Sequence, residues 1–129
     1  MTGPTTVLDA SAILAYLRSE PGASIVGDMM AQSVVSSVNL SEVIAKLAEE
    51  GFEEVEIRRT INRLPVLAVP FDEESAYVAG LLRPVTREQG LSLGDRACLA
   101  LGLIRNSPVL TADRNWARVS IDLDLQMIR

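Results

Sequence analysis

Short, largely apolar runs recur along this chain, each separated from the next by helix-period segments, and that alternation restricts the fold more than any other feature. "TTVL" (5–8), "SVVSS" (33–37), "VLAVP" (66–70) and "PVLTA" (108–112) read as strands, and a last strand is expected within 123–128. Helices are expected over 10–18, 24–31, 39–50, 53–64 and 72–82, where Pro84 kinks or ends the last of these, and from 93 to about 106. Strands that are apolar throughout, without polar alternation, are buried on both faces. The pattern therefore predicts a parallel sheet with helices on both sides. In such sheets, ligands bind outside the carboxyl ends of the strands.

The 129 residues suffice to bury a core without staples. With 48% hydrophobic and 22% charged residues, the chain is expected to be globular rather than disordered. Apolar stretches such as "ACLAL" are too short to cross a bilayer. "MTGPTTVLDAS" has no basic flank followed by an apolar core, so no signal peptide is expected. The single cysteine, Cys98, allows no internal disulfide, agrees with a reducing cytoplasm and reads as a small buried apolar residue. The chain has no histidine, which excludes Ser-His and Cys-His nucleophiles and imidazole zinc sites. Lys46 is its one lysine. Catalysis would have to rest on carboxylates, hydroxyls or arginines. A net charge of −5 argues against passive phosphate binding, and acids that hold a cation would account for part of it.

Four acids stand beside strand ends or helix starts. Asp9 follows "TTVL"; Glu42 lies three residues after Asn39; Asp95 lies three after Ser92; Asp113 follows "VLTA". Each alone is explained by helix capping: Asp9 and Asp113 as N-caps, Asn39-x-x-Glu42 and Ser92-x-x-Asp95 as capping boxes. Together they suggest more. In a parallel sheet Asp9 and Asp113 end strands on one edge, and Glu42, a turn beyond "SVVSS", reaches it too. Asp95 is the exception, because its helix leads into the strand that ends at Asp113. It is expected to start on the opposite edge unless its first turn bends back over the site. Four carboxylates drawn within about 5 Å would repel by several kcal/mol per pair at an effective dielectric of about 20. Either some are protonated or a divalent cation neutralises them, and oxygen-only ligands suit Mg2+ or Mn2+.

Other charges have simpler explanations. Asp72, Glu73 and Glu74 open a helix, where the dipole favours acids. Asp122 and Asp124 alternate with Ile121, Leu123 and Leu125 as the outer face of an edge strand would. Arg58, Arg59 and Arg63 share a helix, with Glu54 and Arg58 spaced for an ion pair. Trp116 reads as a packing anchor. A haloacid-dehalogenase-like site needs a second Asp where Ser11 stands, and both it and a receiver domain need a late-strand lysine that Lys46 does not supply.

The segments "VLDASAILAYL", "SSVNLSEV", "LSLGDRACLALG" and "VLTADRNW", in that order and over nearly the whole chain, resemble PIN-domain ribonucleases, specifically the VapC-type toxins of prokaryotic toxin–antitoxin pairs. The resemblance implies a single PIN-like nuclease domain over 1–129. It implies a three-layer α/β/α sandwich around a central, mostly parallel sheet of four to five strands. It gathers Asp9, Glu42, Asp95 and Asp113 around Mg2+ or Mn2+, with Asp9, Asp95 and Asp113 as ligands. Glu42 would position a water or complete the shell. Ser11 and Thr111 look like hydroxyl partners that orient the acids. Asn115 stands where related domains often carry another acidic or polar group; an amide there leaves open whether one metal or two are held. Arg96 and Arg114, flanking the motifs, are candidates for RNA-phosphate contact, against an ordinary solvated surface.

The activity implied is metal-dependent hydrolysis of RNA phosphodiester bonds in the cytoplasm, on structured substrates such as transfer or ribosomal RNA. The partner implied is a VapB-type antitoxin whose tail lies in an apolar groove; a toxin homodimer is also expected, and no membrane. Ile25, Met29, Met30, Val43, Leu47, Val55 and Ile57 could line that groove, although their spacing is equally that of a core. The rival reading is a catalytically inactive PIN-fold module that binds RNA or protein. The presence of all four acids argues against it, and Asn115 alone favours it.

Overall fold

In the computed structural model, which describes residues 5–129, five strands and seven helices alternate. Residues 1–4, part of the segment expected to lack a signal peptide, lie outside the described residues. Strand β1 (Thr6–Leu8) passes directly into α1 (Ala10–Leu17) because Asp9 between them caps the helix, accepting the Ala12 N–H at 2.8 Å. Helix α2 (Ala23–Met29) and a 3-10 turn (Met30–Gln32) lead to β2 (Ser33–Ser36). Helix α3 (Ser37–Glu49) follows with no loop, its start stabilised by the Ser36 hydroxyl, which accepts from Val38 N–H. This corrects the expected start at Asn39. Asn39 and Glu42 lie within the helix and form no capping box.

A capping box of Glu53 and Glu56 opens α4 (Glu54–Asn62), and β3 (Leu67–Val69) follows. Asp72 caps α5 (Glu73–Leu81), and Pro84 sits in the first turn of the short α6 (Arg83–Thr86), so it separates the two helices. Then come α7 (Leu93–Arg105), β4 (Val109–Thr111), a 3-10 turn (Arg114–Arg118) and β5 (Leu125–Met127). Asp122 and Asp124 do alternate in exposure with Ile121 and Leu123, but they precede the paired residues of β5.

The sheet order is β3-β2-β1-β4-β5, and every pairing is parallel. Successive residues point to opposite faces, and the core divides accordingly. Leu8, Val35 and Leu110 face the layer of α1 to α4, with Ile13, Val43 and Leu47. Val7, Val34 and Val109 face the other layer, with Leu82, Cys98, Leu99 and Trp116. Thus β1, β2 and β4 are fully buried, whereas the edge strands β3 and β5 are partly open. Of the groove residues proposed from spacing, Met30, Val43, Leu47 and Ile57 belong to this core, while Ile25 and Val55 are exposed. No helix among the described residues is long and apolar enough to cross a membrane.

The chain steps from β1 outward to β2 and β3, then returns to the other side of β1 for β4 and β5. The reversal opens a crevice outside the carboxyl ends of β1 and β4. Helix α7 runs back along the sheet into β4. Its Gly94 lies against Glu42, and its Gly102 lies against Val109, the first residue of β4. A helix that delivers the chain to a strand's amino end must start near the carboxyl edge. The expectation that Asp95 would begin on the opposite edge is therefore overturned, with no bend needed.

Candidate functional site

A cleft of about 390 Å³ opens at this crevice between α1 and α3. Asp9, Ser11, Asn39, Glu42, Asp95 and Asp113 line it, and Ala45, Lys46 and Glu49 continue its wall along α3. All four acids singled out from the sequence share this one space, each delivered by a different element.

Asp9 lies deepest, 4% exposed. Ser11 Oγ lies 2.8 Å from both of its carboxylate oxygens, and Thr111 Oγ1 donates to Oδ2 at 2.6 Å. Ser11 Oγ also accepts from Ala112 N–H, and Thr111 Oγ1 from Asp113 N–H. The two hydroxyls thus tie the end of β1 to the end of β4 and hold the Asp9 carboxylate in one orientation. Burial raises the Asp9 carboxyl from 3.8 to about 6; the hydrogen bonds from Thr111, Ala12 and Ser11 offset part of the rise, and the nearby Asp95 charge adds to it.

Glu42 is held by Asn39, three residues before it on α3, which also reaches across to α7. The buried Asn39 amide donates to Glu42 Oε1 and to the Gly94 carbonyl, both at 2.9 Å. Because both neighbours are acceptors, the amide nitrogen must face them. A side chain on Gly94 would place its Cβ 2.7 Å from Glu42 Oε1, so the glycine leaves the space that the carboxylate occupies. Asn39 and Gly94 thereby join α3 to the first turn of α7.

Asp95 does form the expected capping box. Its Oδ2 accepts from Ser92 N–H at 3.0 Å, and its own N–H donates to Ser92 Oγ at 3.1 Å. Its other carboxylate oxygen makes no hydrogen bond among the described residues, and the residue lines the cleft. Cap and cleft wall are both served. Asp113 caps the 3-10 turn after β4, accepting from Asn115 N–H. Asn115 spends its amide on the Gln89 carbonyl at 2.6 Å, tying that turn to the loop before α7, and does not line the cleft.

The remaining sites sort clearly. Arg96 is half-buried and donates to the Ala79 carbonyl on α5, outside the cleft lining; Arg114 is exposed beside Asp113. Trp116 is fully buried in the core. Cys98 lies one turn beyond Asp95, its thiol pushed well above the usual range by burial, with Asp9, Asp95 and Glu42 adding to the effect.

The oxygen donors around the cleft suit a hard divalent cation such as Mg2+ or Mn2+, with no imidazole or accessible thiolate to favour a softer metal. Burial disfavours the ionised form of Asp9, a cost that a bound cation would offset. Among the described residues, no three acids are gathered closely enough to form a metal-holding group as they stand. The fit is one of donor chemistry.

A family model described as the PIN domain matches residues 6–122. No curated protein matches the chain at a significant level. Solved structures do. The chain is similar to one in DNA-bound VapBC from Salmonella typhimurium, at 15% identity and a TM-score of 0.77, over 98% of this chain and 99% of that one. It is similar to one in VapBC-1 from nontypeable Haemophilus influenzae, at 21% identity and a TM-score of 0.73, over 95% and 97%. A third likeness is to VapBC2 from Rickettsia felis bound to a promoter DNA fragment, at 16% identity and a TM-score of 0.72, over 94% and 96%.

Proposed function

The chain belongs to the PIN domain family, and from that premise we propose that it is a VapC-type toxin: a single-domain, metal-dependent endoribonuclease neutralised by a cognate VapB-type antitoxin. The observation that carries this reading is the convergence of Asp9, Glu42, Asp95 and Asp113, from four separate elements, on one cleft at the sheet's switch point. The toxin assignment draws support from the near-complete overlap with chains of VapBC complexes.

In this reading Asp9, Asp95 and Asp113 hold Mg2+ or Mn2+, which when bound supplies charge neutralisation at the phosphate and lowers the pKa of water. Asp9 arrives pre-oriented by Ser11 and Thr111, so little order is lost at the moment of reaction. Glu42, held by Asn39, aligns the attacking water by accepting its hydrogen bond. Attack in line forms the water-oxygen bond to phosphorus and breaks the bond to the 3′-oxygen, leaving 5′-phosphate and 3′-hydroxyl ends. The substrate class is structured RNA of the transfer or ribosomal kind, in the cytoplasm. For the antitoxin tail, an apolar groove lies between α3 and α4, where Ile44 and Phe52, 37% and 47% exposed, stand beside Leu40, Ile57 and Ile61. A homodimer of the toxin is part of the same proposal.

Purified chain is expected to cut RNA only with added Mg2+ or Mn2+ and to stop with a chelator. Cleavage that persists without metal would sink the mechanism. Sequencing RNA ends in cells shortly after induction would identify the target.

A further inference from the structure

Lys46, the chain's single lysine, is the only cation among the described residues that line the acidic cleft. It follows Glu42 by one turn of α3, which places both on the same helix face. Its side chain is 57% exposed, and its ion-pair partner Glu49, 77% exposed, stands at 3.9 Å, the outer limit of contact. Such a pair contributes little to stability and leaves the ammonium protons available to another acceptor. Among the other cations, Arg18 pairs with Glu50, Arg58 with Glu54 at 2.7 Å, and Arg96 donates to the Ala79 carbonyl, while Arg114, exposed beside Asp113, does not line the cleft. The cleft itself carries the carboxylates of Asp9, Glu42, Glu49, Asp95 and Asp113 in a chain of net charge −5. An RNA strand entering that field is repelled unless a positive group stands beside its path.

We propose that Lys46 binds the RNA phosphate next to the one that is hydrolysed, donating from Nζ to a non-bridging oxygen. The proposal rests on the nuclease reading above. Four residues of helix, about 6 Å, separate Lys46 from Glu42 along α3, which sets the ammonium beside the reacting phosphate rather than upon it. Lys46 therefore holds the strand in register along α3 and takes no part in breaking the bond.

The test compares the native chain with Lys46→Ala, Lys46→Arg and Arg58→Ala. Steady-state cleavage is measured with Mg2+. Binding of a short fluorescein-labelled single-stranded RNA is measured by anisotropy with Ca2+ over a range of salt. Lys46→Ala should raise KM and Kd by roughly three- to tenfold, leave kcat within about twofold, and lower the slope of log Kd against log salt by about 0.7. Lys46→Arg should restore binding, and Arg58→Ala, which removes the same charge from α4, should leave it unchanged. Three results overturn the contact: unchanged Kd and salt slope in Lys46→Ala, a fall in kcat with Kd unchanged, or an equal loss in Arg58→Ala. If the native chain binds RNA without cutting it and Lys46→Ala weakens that binding, the nuclease reading falls and the contact stands. If the native chain does not bind RNA, both fall.

Discussion

Burying the Asp9 carboxylate carries an electrostatic cost, and the sign of that cost can be measured. In the metal-free chain, the unfolded state releases the Asp9 proton near 3.8, whereas the folded state keeps it to about 6. Between those values the folded state binds more protons, so the Asp9 contribution to stability falls as pH rises. Above the window the cost is on the order of 3 kcal/mol. An amide at this position can still accept the Ala12 N–H, and the Ser11 and Thr111 hydroxyls can rotate to suit it. Melting curves with chelator should therefore show Asp9→Asn gaining on the native chain as pH rises from about 4 to 7, while its RNA cleavage is abolished. A difference that stays flat across that window contradicts the raised carboxyl. Gly94 offers a second test. Gly94→Ala should push the Glu42 carboxylate from its place and cost at least about tenfold in activity, because small displacements of a positioned group are expensive. Its stability should change little, since alanine is the better helix residue by roughly 0.5–1 kcal/mol. Loss of folding together with activity would show that the contact is packing alone.

At the scale of elements, α7 decides whether there is a site. Thirteen residues span about 20 Å, enough to bring the chain from the carboxyl edge of the sheet back to the amino end of β4. Its start is stabilised locally by Ser92 and Asp95, and is tied to α3 by the Asn39 bond to the Gly94 carbonyl. The two halves of the capping box should therefore respond differently. Ser92→Ala removes a helix cap and should cost about 1 kcal/mol, lowering the melting temperature by about 3–5 °C. Asp95→Asn keeps an acceptor for Ser92 N–H and should fold nearly as the native chain does, yet lose cleavage. An Asp95→Asn chain that is destabilised as much as Ser92→Ala but still cuts RNA would reduce the carboxylate to a cap.

For the molecule as a whole, a cation that binds only the folded state stabilises it by mass action. At about ten times its Kd, Mg2+ or Mn2+ should add about 1.4 kcal/mol, or about 5 °C in melting temperature, with a smaller shift in Asp113→Asn. A native chain whose melting does not respond to either ion would count against a cation site. Much of this molecule was legible in its sequence. Apolar runs, helix periods and caps predicted the strands, the parallel sheet and the two covering layers, because each depends on residues within a turn or two of one another. The identities of the four acids were legible for the same reason: the residue types and their positions after strands or at helix starts are local. Glu42 was misassigned to a capping box because Ser36 starts α3 earlier than Asn39 would. The rest lay outside local reach. Asn39 meets Gly94 across 55 residues of chain and Thr111 meets Asp9 across 102, so neither contact has a spacing to read. Which edge Asp95 occupies, and that Lys46 lines the same cleft as the acids, depend on the direction and rotation of packed helices. The sequence determined the elements and the donor atoms; only the packing of α1, α3 and α7 at the sheet's reversal decided that those atoms share one cleft.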